Sequence, residues 1–474
     1  MEPFVIVIFG ATGDLAQNKL LPALFSLFKQ NILGKQFLLI GFARRQFTDD
    51  EYRKMLKVNL SGNKNKKQWK EFIKHVFYQQ GMFDEQTGYK NLISRLQAYD
   101  RQVGFHVQRL FYLATPPDNY ETILDFLHKT NLSASTSSKL IVEKPFGKDL
   151  ETAYYLDRKI AKLFEEHQLY RVDHYLAKEV VQNMIAFRFA NSIFEPVWNK
   201  NYIDHVQITW FEKEGVRQRG KFFDGVGMLR DVGQNHLLQL LAAVAMEQPK
   251  TFSKEGVRDV RAQAIKAIRL LSPNDVKNNV IRGQYRGYHQ EKDIDPKSTT
   301  ETFVAMKFFV DSPRLETVPF YLRVGKKIAT EIMDIKIVFK QTCQLLFREY
   351  GCPEVGNVLT IRVQPNEGIN IGIVVKTPGA KVALSKVEMK FTYEDSFKQH
   401  GLDAYEKLLI DILDGDQMLF NRSDELESSW QLISAILQIW EKEEKKKIPI
   451  YGKKSFGPKQ AIDLIERDGR KWYS

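Results

Sequence analysis

The hydrophobic pattern divides the chain into two kinds of segment. Early on, short unbroken apolar runs alternate with helical stretches. FVIVIF at Phe4–Phe9 is one such run, followed by FLLIG at 37–41, RLFYLA at 109–114 and KLIV at 139–142. Runs without polar alternation are what strands buried on both faces of a parallel sheet require. Behind the first run, Leu20, Leu21, Leu24, Phe25 and Phe28 recur at helical spacing, and helical material is expected to continue from the second run to about Asp100. Later the pattern changes. Residues 204–211 alternate, with Val206, Ile208 and Trp210 on one face, and 302–310, 334–339, 358–363 and 385–391 also read as strands. Helices are expected over 230–247, 403–413 and 424–440. The fold class expected is α/β plus α+β: a parallel sheet domain over 1–173, then a larger, mainly antiparallel sheet domain with helices on one side over 174–474.

Length supports the division, because 474 residues exceed one ordinary core. Hydrophobic content of 43% and charged content of 27% are those of a soluble globular protein. A net charge of +12 suits nucleic acid, an acidic membrane or an anionic small molecule. Much of the excess lies in dispersed runs, NKNKKQWK at 63–70 and KEEKKK at 442–447, which read as solvated faces. No nucleic-acid-binding signature is present, and no apolar run approaches membrane-spanning length, so neither partner is expected. Cys343 and Cys352, the only cysteines, lack metal or redox spacing, so no metal is expected and a reducing compartment fits. The start, MEPFVIVIFG, has no basic segment and no long apolar core of a signal peptide, and a cytoplasmic location is expected.

Candidate chemistry begins directly after the first apolar run. Gly10-Ala11-Thr12-Gly13-Asp14-Leu15-Ala16 sits between strand and helix with GxxGxxA spacing. Glycines allow a tight turn and close approach of backbone N–H groups to a pyrophosphate, and a helix N-terminus favours anions, so a Rossmann-type dinucleotide site is expected. At the end of the second run, where an acid usually meets the ribose of NAD, stand Arg44 and Arg45. Guanidinium groups suit a 2′-phosphate, which favours NADP; an exposed arginine pair is the plain alternative, and Asp49 and Asp50 leave NAD as second choice. Lys144, after the 139–142 run, faces the same crevice in a doubly wound sheet.

Two further clusters stand out. RVDHYLAKE at 171–179 puts His174 and Lys178, both able to meet a phosphate, beside the carboxylate of Asp173; taken alone, a solvated strand end with an ion pair explains it as well. In the helix from Arg230, Asp231, Asn235 and Gln239 share a face at four-residue spacing, and His236 adjoins it. Histidine is the usual general base near neutral pH, although a single histidine on a half-apolar helix more often belongs to the core.

Together these motifs resemble the glucose-6-phosphate dehydrogenase family, from Phe4 to Tyr473. The resemblance is carried by GATGDLAQNKL at Gly10, LATPP at Leu113, IVEKPFGKDL at Ile141, YRVDHYLAKEVVQN at Tyr170 and RDVGQNHLLQ at Arg230. STTETF at Ser298, PFYLRVGKK at Pro319, IRVQPNE at Ile361, DAYEKLL at Asp403 and RSDELESSW at Arg422 complete it. It implies oxidation of β-D-glucose 6-phosphate to 6-phosphoglucono-1,5-lactone with hydride passing to NADP, in a homodimer or homotetramer assembled through the sheet domain. By motif match, His236 is similar to the catalytic base and Asp173 to the carboxylate that orients it. His174 and Lys178 fall at the phosphate, and Tyr175 beside them at the substrate. Glu212 and Asp231 match acceptors for sugar hydroxyls, Lys326 a further substrate lysine, and Lys144 one shared with the cofactor. Gly10, Ala11, Thr12, Gly13, Asp14, Leu15, Lys19, Arg44, Ala114 and Pro116 match the cofactor site.

The chain departs from the family pattern at Ala177, usually Gly, and at Glu331, where a second basic residue usually follows the RVGK lysine; Lys327 is the neighbouring cation. A third departure is the GDYDD-like loop, which reads QGMFDE at 80–85. Two rival readings remain: a glucose–fructose-oxidoreductase-type enzyme acting on free sugars, which lacks the DHYLAKE cluster, and a non-catalytic descendant that binds cofactor or nucleic acid.

Overall fold

A computed structural model describes residues 2–59, 66–397, 401–442 and 447–473, so the basic runs at 63–70 and 442–447 fall partly outside the described residues. The chain forms two compact units. The first comprises Met1–Ala177, Ser253–Arg258 and Leu402–Leu426; the second comprises Lys178–Phe252, Asp259–Gly401 and Glu427–Ser474.

The first unit is built on a six-stranded parallel sheet. Its strands are β1 (Phe4–Phe9), β2 (Phe37–Ala43), β3 (Val76–Gln80), β4 (Gln108–Leu113), β5 (Ser138–Val142) and β6 (Leu169–Arg171). Their order across the sheet is β3-β2-β1-β4-β5-β6. The unbroken apolar runs are buried as such runs must be: every residue of β1 is inside. Each large apolar side chain so enclosed contributes roughly 1.5–3 kcal/mol. Strand β3 lies in the stretch expected to be helical. Its sequence, VFYQQ, is short and ends in glutamines, and its pairing with β2 at the sheet edge outweighs that weak local signal. Segment 402–426 belongs to this unit through specific bonds: Gln417 donates to the carbonyls of Glu166 (2.8 Å) and Leu169 (2.9 Å), and Arg171 bridges Asn421.

The second unit holds a nine-stranded sheet. Its strands are β7 (Ile203–Phe211), β8 (Val280–Tyr285), β9 (Phe303–Phe308), β10 (Phe320–Gly325), β11 (Ile332–Phe339), β12 (Val358–Gln364), β13 (Gly368–Lys376), β14 (Leu384–Thr392) and β15 (Ile450–Tyr451). The order is β14-β13-β12-β11-β7-β10-β9-β8-β15. Pairs β7/β10 and β8/β15 are parallel and the rest antiparallel, giving the mixed, mostly antiparallel sheet expected. Between β11 and β12, Cys343 and Cys352 are joined as a disulfide, a pairing that their spacing did not signal. Among the described residues no helix is long and apolar enough to cross a membrane.

Candidate active site

In the first unit, parallel register fixes what meets at one edge of the sheet. Phe9 is level with Phe42 and Leu113, and Leu113 with Val142, so the turn at Gly10, the arginines after Ala43, Ala114 with exposed Pro116, and Lys144 all leave the same edge. Gly10 has φ +84°, and a Cβ there would lie 2.5 Å from the Ala114 carbonyl oxygen. Its N–H donates to Phe42 O (2.8 Å), and the Gly13 N–H donates back to Gly10 O (2.8 Å). Ala11 is buried, Thr12 and Gly13 half-buried, and Asp14 and Leu15 open the helix whose next residues, Ala16–Leu20, form wide π turns carrying exposed Lys19. A bare backbone cradle at a helix start fits a pyrophosphate.

Arg44 and Arg45 are exposed beyond β2. Asp49 is bonded within the protein: it accepts the Tyr78 N–H (2.7 Å) and pairs with Arg95 (3.3 Å). Asp50 pairs with Arg53 (3.1 Å). Both acids that left NAD open are thus engaged within the protein.

Next to this edge lies an anionic cluster. Lys144 Nζ is 2.7 Å from Asp173 Oδ2, the carboxylate buried and the lysine half-buried, and Asp173 Oδ1 accepts the Tyr175 N–H (3.0 Å). His174 packs between rings, 4.3 Å from Tyr175 and stacked 5.8 Å from Tyr405 by centroids. Glu143 was missed by sequence reasoning. Its carboxyl accepts from Tyr112 (2.5 Å) and from Tyr405. Burial, opposed by these hydrogen bonds, pushes it up to about 7, with Asp173 adding to the rise. The DAYEKLL motif marked Tyr405's neighbourhood, but only the fold brings it to Glu143.

The second unit carries the other candidates. Lys178 heads the helix Glu179–Phe189, and its Nζ lies 3.1 Å from Gln364 Oε1 and 3.4 Å from Glu367 Oε1. Those acceptors come from the IRVQPNE motif, to which no role was assigned. Lys326 follows β10 and Glu212 follows β7; because these strands run parallel, the buried lysine donates to the Glu212 carboxylate. Asp231 and His236 do not sit on the regular α-helix expected. Leu229–Leu237 is a π-helix, continued by the α-helix Leu238–Ala245. The wider turn abolishes the four-residue row of Asp231, Asn235 and Gln239, and the Asn235 amide reaches back to the carbonyls of Arg230 (3.0 Å) and Asp231 (3.3 Å). The start is anchored by Glu301, whose carboxylate accepts the Leu229 N–H (2.9 Å) and fills the space a Cβ on Gly227 would take. His236 is 9% exposed and lies against Trp210 of β7, centroids 5.2 Å apart. Asp231 stands 3.4 Å from Arg219.

Residues 7–183 match the glucose-6-phosphate dehydrogenase NAD binding domain, and 185–473 match the glucose-6-phosphate dehydrogenase C-terminal domain. The chain belongs to the glucose-6-phosphate dehydrogenase family. It is 41% identical over 493 residues to glucose-6-phosphate 1-dehydrogenase of Chlamydia pneumoniae, covering 99% of this chain and 96% of that one. It is also 41% identical over 476 residues to the Borreliella burgdorferi enzyme of the same name, covering 98% and 97%. A solved glucose-6-phosphate dehydrogenase in complex with its substrate glucose-6-phosphate superposes with a TM-score of 0.92 at 34% identity, covering 100% of this chain and 99% of that one.

The departures from the glucose-6-phosphate dehydrogenase pattern have plain surroundings. Ala177 is buried. Glu331 is exposed, and Lys327 extends its Nζ to 3.9 Å from Glu291. In the altered loop, Gly81 donates its N–H to Ala43 O (3.1 Å) and packs on the Phe42 ring.

Proposed function

We infer that this protein oxidises β-D-glucose 6-phosphate to 6-phosphoglucono-1,5-lactone, with hydride transferred to NADP. The observation that carries the reading is the match of both family domains across the chain, with every candidate catalytic and substrate-binding side chain present.

In this reading an imidazole nitrogen of His236 accepts the proton of the anomeric hydroxyl, which raises electron density on the carbon that loses hydride. Asp173 steadies the imidazolium as a carboxylate, while Lys144 balances its buried charge. Burial against Trp210 restricts water around the base. His174 and Lys178 bind the phosphate, with Tyr175 beside them in the substrate site; the phosphate does not react, and its binding energy positions the reacting carbon. Glu212, Asp231 and Lys326 hold the sugar hydroxyls. The turn Gly10–Leu15, with Lys19, Ala114, Pro116 and Lys144, would hold the dinucleotide, and Arg44 would meet its 2′-phosphate. NADP, when bound, supplies the hydride acceptor. Engagement of Asp49 and Asp50 elsewhere supports NADP over NAD.

Association into a homodimer or homotetramer through the sheet is supported by edge strand β14, where Val387 and Met389 are exposed. A single-subunit mass by light scattering would overturn it. Cytoplasmic location is supported by the polyanionic substrate and cofactor, neither of which crosses a bilayer unaided; the Cys343–Cys352 bond argues the other way. Cell fractionation tests it, with the activity expected alongside soluble cytosolic markers.

The deciding assay follows nicotinamide absorbance with glucose 6-phosphate or glucose, each with NADP or NAD. Fast turnover is expected with glucose 6-phosphate and NADP. Equal turnover of free glucose would favour the oxidoreductase of non-phosphorylated sugars.

A further inference from the structure

The turn that leaves β2 is pinned from one side by three successive carbonyls. Gly81 N–H donates to Ala43 O (3.1 Å), and Gln80 Nε2 donates to Arg44 O (3.3 Å). The Tyr78 hydroxyl lies 2.6 Å from Arg45 O and 3.0 Å from Ala43 O, so its one proton is shared between them. Tyr78 itself is 2% exposed, flanked by the rings of Tyr52 (4.8 Å) and Phe47 (5.6 Å). Its backbone N–H holds Asp49 at 2.7 Å, which keeps that carboxylate directed toward β3. One residue therefore fastens the backbone beneath Arg44 and Arg45 and also occupies the nearest acid.

We propose that Tyr78 is the positioning residue that sets cofactor selectivity, by holding residues 43–45 so that the arginine pair is presented to a 2′-phosphate. Guanidinium recognition of phosphate depends on a fixed fork geometry. An exposed two-arginine turn without a buried anchor loses conformational freedom only when the ligand arrives, and affinity for that ligand falls accordingly. NAD lacks the group this turn meets, so its binding is indifferent to the anchor. The inference rests on the reading of Arg44 as a 2′-phosphate partner.

The test is calorimetric binding of NADP and of NAD to the full-length protein. Tyr78→Phe keeps the ring and removes the hydroxyl. It is expected to raise the NADP dissociation constant about tenfold, equivalent to roughly 1.4 kcal/mol, and to leave that of NAD within about twofold. Gln80→Leu, at an exposed position, removes a second bond to the same turn, should shift the ratio in the same direction by a smaller factor, and carries the test if Tyr78→Phe does not fold. Arg44→Ala is the control for the underlying reading. If Arg44→Ala lowers the NADP preference while the Tyr78 and Gln80 variants leave it untouched, the positioning role is wrong. If Arg44→Ala itself spares the ratio, the 2′-phosphate reading fails first.

Discussion

The ammonium of Lys144 stands 2.7 Å from a carboxylate oxygen of Asp173, whose side chain is removed from solvent while the lysine is half-buried. Charge pairs at such depth are strongly coupled, because separating the partners exposes each to a medium that solvates it poorly. A cycle of Lys144→Met, Asp173→Asn and the double variant, followed by urea unfolding, should give a coupling of about 1–3 kcal/mol. A value near zero would reduce the contact to mere proximity.

His236→Asn should lower kcat by roughly 10²–10⁴-fold, the usual contribution of a positioned general base, and leave KM for glucose 6-phosphate little changed. Undiminished kcat would remove His236 from the chemistry.

Lys178→Ala and His174→Asn should each raise KM for glucose 6-phosphate about tenfold or more, since each removes a group placed at the phosphate. Free glucose has no phosphate, so its kcat/KM should hardly respond. Equal loss with both sugars would relocate the phosphate.

Glu143 yields a prediction about pH and stability. Its folded carboxyl titrates at about 7, against an ordinary 4.5. Below 4.5 both folded and unfolded chains carry the proton. Between 4.5 and 7 only the folded chain keeps it, so stability declines as pH rises through that window and then levels off, by an amount on the order of 3 kcal/mol. Thermal unfolding of Glu143→Gln between pH 5 and 7.5 should therefore be flatter than that of the parent. Parallel curves would mean the carboxyl does not titrate there.

Legibility in the sequence followed the range of the interactions involved. Strand β1 and the Gly10 turn are local: an apolar run and a glycine spacing suffice, and both were read correctly. Strand β3 was not, because VFYQQ gains its conformation from β2 rather than from its own pattern. The π stretch Leu229–Leu237 replaced an expected α-helix for a related reason. Helical periodicity is visible in a sequence, but an extra residue per turn is set by anchors such as Glu301, about seventy positions away. Glu143 was invisible as a site residue, since its tyrosine partners come from positions 112 and 405. The motifs marked the right neighbourhoods, and tertiary contacts chose the atoms.

The return of residues 402–426 to the first unit has a consequence for biosynthesis. A ribosome that has made Ala177 has synthesised all six strands of the parallel sheet, yet not the glutamine that bonds to Glu166 and Leu169 nor the tyrosine beside His174. At roughly 5–20 residues/s, the nascent sheet waits tens of seconds for those groups to emerge. During that interval it is an incomplete intermediate, exposed to chaperones and proteases, and a message truncated after the first unit's main segment would strand it there.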